Sequence, residues 1–145
     1  MEAKPKKILT VLIIVVLIFI GLLSVKFYPA VKNYLKERQI YASDKIGGAT
    51  PEETYQLFVN ALKEKNIDLA SRYFVPEAQS QWLKTFTIYN QSGNLQNFID
   101  ELIHNQSVWQ KQSSDKKEAI YQIEGNSLII FEKNPVNGIW KIKDL

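Results

Sequence analysis

The chain contains no cysteine. Disulfides, thiolate nucleophiles and cysteine-based zinc sites are therefore excluded, and an oxidising exterior is compatible. Histidine occurs once, at His104, so clustered imidazole ligands for a metal are lacking. Glycine is scarce, six in 145 residues. Its one adjacent pair, Gly47-Gly48, has neither a strand before it nor a lysine placed for a phosphate loop. There is no repeat and no low-complexity segment. No metal, cofactor or catalytic residue is expected on these grounds.

Charge is missing from Ile8 to Val25, which reads ILTVLIIVVLIFIGLLSV. Eighteen uncharged residues of this kind predict a transmembrane helix. At 1.5 Å per residue the run covers roughly 27 Å, slightly short of a hydrocarbon core of about 30 Å. Phe27 and Tyr28 extend it at the interface, with Lys26 snorkelling between them, so the span is expected over 8–28. Lys4, Lys6 and Lys7 precede the run as a signal sequence would have it. Yet Leu23 is followed by Ser24, Val25, Lys26 and Phe27, with no small-x-small cleavage pattern. An uncleaved anchor is expected, rather than a cleaved leader or a buried core helix. Counting basic residues alone would place the C-terminal flank inside. The short basic tail directly against the span favours residues 1–7 in the cytoplasm and the C-terminal domain outside a bacterial cell membrane.

The net charge of +3 is unevenly spread. Residues 1–48 hold eight basic and three acidic side chains, and residues 49–145 hold ten and twelve. The basic excess suits a lipid bilayer with anionic headgroups. The remainder, at −2, has no surplus for a phosphate backbone, so nucleic acid is not an expected partner.

After Tyr28, Pro29 suits either a new helix or a kink in a continuous one. Val31, Tyr34 and Leu35 share a helical face, predicting a short amphipathic stalk over 29–48 that ends at the Gly47-Gly48 linker. The soluble domain is expected over 49–145. Thr50-Pro51-Glu52-Glu53 opens a helix with a capping box, and Tyr55, Phe58, Ala61 and Leu62 form its inner face. Asp68 is expected to cap a short second helix leading to Ala70, Tyr73 and Phe74. Pro76 starts a third with Trp82, Phe86 and Tyr89 on one stripe, although residues 84–89 also alternate as a strand would. Asn94 is expected to cap a fourth, with Leu95, Phe98, Ile99, Leu102 and Ile103 inward. From Ser107 the period becomes two. Strands are expected at Val108–Gln112, Glu118–Glu124, Ser127–Lys133 and Ile139–Lys143, with a tight turn at Gly125-Asn126, Trp140 and Ile142 inward, and Lys141 and Lys143 outward. Helices first and an antiparallel meander after is the α+β pattern.

Thr50-Pro51-Glu52-Glu53 into Tyr55 and Phe58, then Asn66-Ile67-Asp68-Leu69-Ala70 into Tyr73-Phe74, and the closing Gly138-Ile139-Trp140-Lys141-Ile142 together resemble the NTF2-like superfamily. The resemblance implies a cone of helices wrapped by a curved antiparallel sheet (NTF2-like/cystatin-like). It covers about 40 residues and is closest in layout to small bacterial membrane-anchored members. That scaffold hosts isomerases, binding modules and assembly proteins, so it does not fix function.

Few residues invite chemistry. Asp100 and His104 lie one helical turn apart and could share a hydrogen bond, but on the polar face of their helix. Glu52 and Glu53 complement a helix dipole. Trp82, Phe86, Trp109 and Tyr121 are the expected lining of a ligand pocket between helices and sheet, or else core. The reading that results is a non-enzymatic, membrane-anchored, extracytoplasmic domain binding a protein or cell-envelope partner. The alternatives are a structural subunit of an envelope assembly similar to type IV secretion assembly factors, or a small-ligand enzyme or carrier.

Overall fold

The computed structural model describes residues 4–123 and 127–145; at positions 4–8, 11 and 20–27 it describes the backbone alone. The expected turn at Gly125-Asn126 lies outside the described residues. The chain divides into two units, Met1–Gln39 and Ile40–Leu145.

From Lys4 on, the first unit is part of one helix, α1, which runs Lys4–Ser43 and carries Pro29 in its interior. The expected span and the stalk as far as Ser43 are thus one continuous helix, and 44–48 lie beyond it. Pro29 interrupts the hydrogen-bond ladder without ending it. The described apolar side chains from Leu12 to Phe19 are between 47% and 62% exposed. Among the described residues, no helix is long and apolar enough to cross a membrane; the side chains at 8, 11 and 20–27 of the expected span lie outside them.

The second unit begins with the last turn of α1, so the compact fold starts before the expected Gly47-Gly48 boundary. It is α+β. Helices α2 (Pro51–Lys63), α3 (Ile67–Ser71), α4 (Pro76–Gln91) and α5 (Leu95–Ser107) precede strands β1 (Gln110–Ser114), β2 (Glu118–Gln122), β3 (Leu128–Lys133) and β4 (Trp140–Asp144). The strands form an antiparallel meander in the order β1-β2-β3-β4. The inner face offers Ala119, Tyr121, Ile129, Phe131, Trp140 and Ile142, which meet Tyr55, Phe58, Val59 and Leu62 of α2 in one core. Gly48 and Phe74 make single bridges to Trp140 and Ile142. They cover the second edge of β4, so β1 is the open edge of the sheet.

Local chemistry explains the helix ends. The Thr50 hydroxyl accepts from the Glu53 N–H at 3.1 Å, and the Glu53 carboxylate returns to the Ala49 N–H at 2.6 Å, one residue earlier than the usual reciprocal box. α2 closes in a Schellman motif: Lys65 N–H bonds to Leu62 O and Asn66 N–H to Ala61 O. Lys65 takes the left-handed position, with φ of 56°. Asn66, not Asp68, then caps α3 by accepting from the Leu69 N–H at 3.1 Å. The motif has already placed Asn66 with its side chain over the next turn. Asn94 does not cap α5 with its side chain; its amide donates to the Ser92 hydroxyl instead.

The third helix forms as expected: α4 starts at Pro76 and continues its stripe through Phe86, so 84–89 is helical throughout and its alternation makes no strand. Two further expectations need correction. Ile103 is 41% exposed, one residue past the inward-facing Leu102. Val108 ends α5 rather than opening β1, whose five residues are all exposed.

A left-handed lysine costs on the order of 1 kcal/mol relative to glycine. Lys65→Gly is expected to stabilise the protein by about 0.5–1 kcal/mol, seen as a raised thermal midpoint of the full chain in detergent. An unchanged or lower midpoint would count against the cap.

Candidate functional site

The four residues expected to line a pocket lie along one run of touching rings. Trp82 and Phe86, one turn apart on α4, have centroids 5.4 Å apart. Phe86 is 5.7 Å from Phe58, which is 5.9 Å from Tyr55. Tyr55 is 4.6 Å from Trp109, and Trp109 is 4.7 Å from Tyr121. Phe58 and Tyr55, absent from the expected lining, are the links that join the α4 pair to the sheet pair. Their i, i+3 spacing on α2 was the sequence signal for this. The two described pockets are lined by other residues.

Polar atoms sit at the fringe of these rings. The Tyr55 hydroxyl donates to Leu102 O at 3.0 Å. The Tyr121 hydroxyl donates in a short bond to Glu52 Oε1, and Lys111 Nζ lies 5.7 Å from the Tyr121 ring centre. Burial alone would raise the Glu52 carboxyl, but the Tyr121 hydroxyl, its own backbone N–H, Thr50 and Lys111 together hold it below the ordinary 4.5. Burial first, and then Glu52, push the Tyr121 hydroxyl well above 10. Burial, helped by Glu101, does the same to Tyr55. Tyr121 therefore stays protonated at neutral pH and donates to Glu52. The pairing was illegible in sequence because its partners are 69 positions apart. Trp109 Nε1 is buried without a described partner. Asp100 accepts from Gln96 Nε2 at 2.9 Å, and both Asp100 and His104 are exposed on α5. Among the described residues no group of three His, Asp or Glu side chains could hold a metal ion.

A second polar centre surrounds Lys141. Alternation along β4 placed it outward, yet it has no exposure at all. Its ammonium donates to Asp44 Oδ2 at 2.7 Å, to Ile46 O at 2.7 Å and to Arg72 O. The segment 44–46 covers the far side of β4, which is why alternation failed here. Asp44 Oδ2 also accepts from Gln79 Nε2 at 2.9 Å. Desolvation outweighs the pull of Asp44 and holds the Lys141 ammonium below its ordinary 10.5. Nearby, the buried Asn134 amide donates to Tyr41 O at 2.8 Å, and the Asn137 amide donates to Asp44 O at 2.5 Å. The β3–β4 loop thereby grips the last turn of α1 and the residues after it.

That loop also forms one wall of an open groove of about 1080 Å³ on the far end of the sheet. Asp115–Glu118, from the β1–β2 turn, form the other wall, and Glu132–Gly138 complete the lining. No expectation from sequence pointed here, because the two walls are separated in the chain and meet only through strand pairing.

Compared with family models, curated proteins and solved structures, the chain matches none.

Two outcomes follow from the polar centres. Lys141→Met is expected to destabilise the chain by about 3 kcal/mol, since it leaves Asp44 buried without its cation. Adding Asp44→Asn should return part of that loss in chemical denaturation, and no recovery would argue against the ion pair. In alkali, a tyrosine raised above 10 in the fold contributes stability that is complete below pH 10 and lost as pH climbs toward its folded value. Lys141, lowered in the fold, has the opposite sign, gaining stability as pH rises toward 10.5. Tyr121→Phe leaves Lys141 intact, so its denaturation midpoint should fall less steeply than wild type as pH rises above about 10.

Proposed function

We propose that this protein is a single-pass, membrane-anchored, non-enzymatic interaction domain, with the short basic tail in the cytoplasm and the α+β unit outside. One observation carries the reading: eighteen uncharged residues, Ile8–Val25, sit within the continuous helix α1, whose last turn opens the compact second unit. The exposed side chains from Leu12 to Phe19 support it, because a stripe apolar all round is unfavourable in water and neutral in lipid. The arrangement of helices against an antiparallel meander is compatible with an NTF2-like cone, which we take as the scaffold. The non-enzymatic reading draws support from the raised hydroxyls of Tyr55 and Tyr121 and from the structural engagement of Asp44 and Lys141.

The protein is expected to stay with membranes after an alkaline carbonate wash and to be released by detergent. A reporter fused after Leu145 should be active only outside the cytoplasm. Crosslinking on intact membranes should capture one discrete partner. Release into the wash, or a reporter active only in the cytoplasm, would overturn the anchor or its orientation. Capture of nothing discrete would overturn the interaction role.

A further inference from the structure

We propose that Asn137 is a deamidation site, held back by the closed β3–β4 loop, and that its conversion to aspartate or isoaspartate frees that loop from the end of α1. This chemistry needs neither the anchor nor a partner.

Of the chain's asparagines, only Asn137 is followed by glycine. Glycine has no Cβ to obstruct the reaction, in which the Gly138 backbone nitrogen loses its proton and attacks Asn137 Cγ. The N–Cγ bond forms, the Cγ–Nδ2 bond breaks, and Nδ2 takes up a proton and leaves as ammonia. Water then opens the five-membered succinimide at either carbonyl. One opening gives aspartate. The other gives isoaspartate, with the main chain rerouted through the former side-chain carbonyl. The net change turns an amide and a water into a carboxylic acid and ammonia, with nothing oxidised or reduced. Asn134, in the same loop, cannot start this reaction, because Pro135 has no N–H to lose.

The fold controls when it happens. Asn137 is exposed, so water and hydroxide reach it. Both reacting nitrogens are nevertheless engaged while the loop is closed. The Gly138 N–H donates to Asn134 O at 2.9 Å. Asn137 Nδ2 donates to Asp44 O at 2.5 Å and to Tyr41 O at 3.4 Å, and its Oδ1 accepts from the Ile139 N–H at 3.2 Å. Attack therefore waits for local opening of the loop. The buried Asn134 side chain keeps it closed: Oδ1 accepts from the Val136 and Asn137 N–H groups at 2.9 and 3.3 Å, and Nδ2 donates to Tyr41 O at 2.8 Å.

The fold also sets the consequence. A carboxylate accepts hydrogen bonds and donates none. At position 137 it would face the Asp44 and Tyr41 carbonyl oxygens, to which the amide now donates. Isoaspartate further lengthens the main chain just before Ile139, whose N–H now bonds to Asn137 Oδ1. Asp44 is also the residue whose carboxylate pairs with Lys141, so the loss falls on the segment that covers β4.

The test incubates the full chain in detergent at mildly alkaline pH, folded and, in parallel, in concentrated urea. Mass spectrometry of peptides locates the conversion, and enzymatic methylation marks isoaspartate. In urea Asn137 is expected to convert ahead of every other asparagine. In the folded chain it should convert at least roughly tenfold more slowly, the factor that an opening cost of about 1.4 kcal/mol imposes. Asn134→Ala removes the side-chain bonds that close the loop and should speed conversion at Asn137 several-fold in the folded chain. Converted protein, and Asn137→Asp made directly, should melt below wild type. Equal rates folded and in urea, faster conversion of another asparagine in urea, no acceleration by Asn134→Ala, or converted protein that melts as wild type does would overturn the proposal. The comparison of folded chain with urea stands whether or not Asn134→Ala folds.

Discussion

A lysine ammonium with no exposed surface ties the second unit together. Lys141 reaches the residues that follow α1 through Asp44 and Ile46, and the end of α3 through the Arg72 carbonyl, while its own backbone belongs to β4. Burying a cation is costly, and the lowered Lys141 ammonium records that cost. What the arrangement secures is geometry. Gly47 must pass so close to β4 that a Cβ there would stand 2.4 Å from the Trp140 carbonyl. Next to it, the Gly48 N–H meets the Thr54 hydroxyl, which in turn donates to Trp140 O. The cation, the two glycines and Thr54 hold one seam shut between the entry to α2 and the last strand.

Closing that seam protects one edge of the sheet and leaves the other open. β4 is bridged by Gly48 and Phe74, whereas β1 carries only exposed polar side chains and a register shift between Lys111 and Ser113. A polar, bulged, lysine-bearing edge is a poor template for another strand.

Inside, the rings from Trp82 through Phe86, Phe58 and Tyr55 to Trp109 and Tyr121 pack edge to face and tilted. The two tyrosine hydroxyls find partners at the rim, Tyr55 at Leu102 O and Tyr121 at Glu52 in the first turn of α2, whereas Trp109 Nε1 stays buried without a described partner. The Glu52 carboxylate serves the helix dipole and the tyrosine at once, which keeps a charged group at the rim of an aromatic core without an unmet hydrogen bond.

The sequence by itself determined the α+β class, the order of elements and the start of α2, because periodicity, proline positions and capping residues act within a few residues of one another. It also determined that Trp140 and Ile142 face the core, since their alternation is local. Only the tertiary structure decided that Lys141 is buried. A strand's outer face is exposed or covered according to what crosses it, and here the covering segment is nearly a hundred positions away. The same holds for the Glu52–Tyr121 bond and for the groove, whose walls come from two hairpin loops. Asn66 replaced Asp68 as a cap for a smaller reason of the same kind: the Schellman closure of α2 set where the next helix could begin. Local rules reached as far as local hydrogen bonds reach, and the groove depends on contacts that only chain reversal creates.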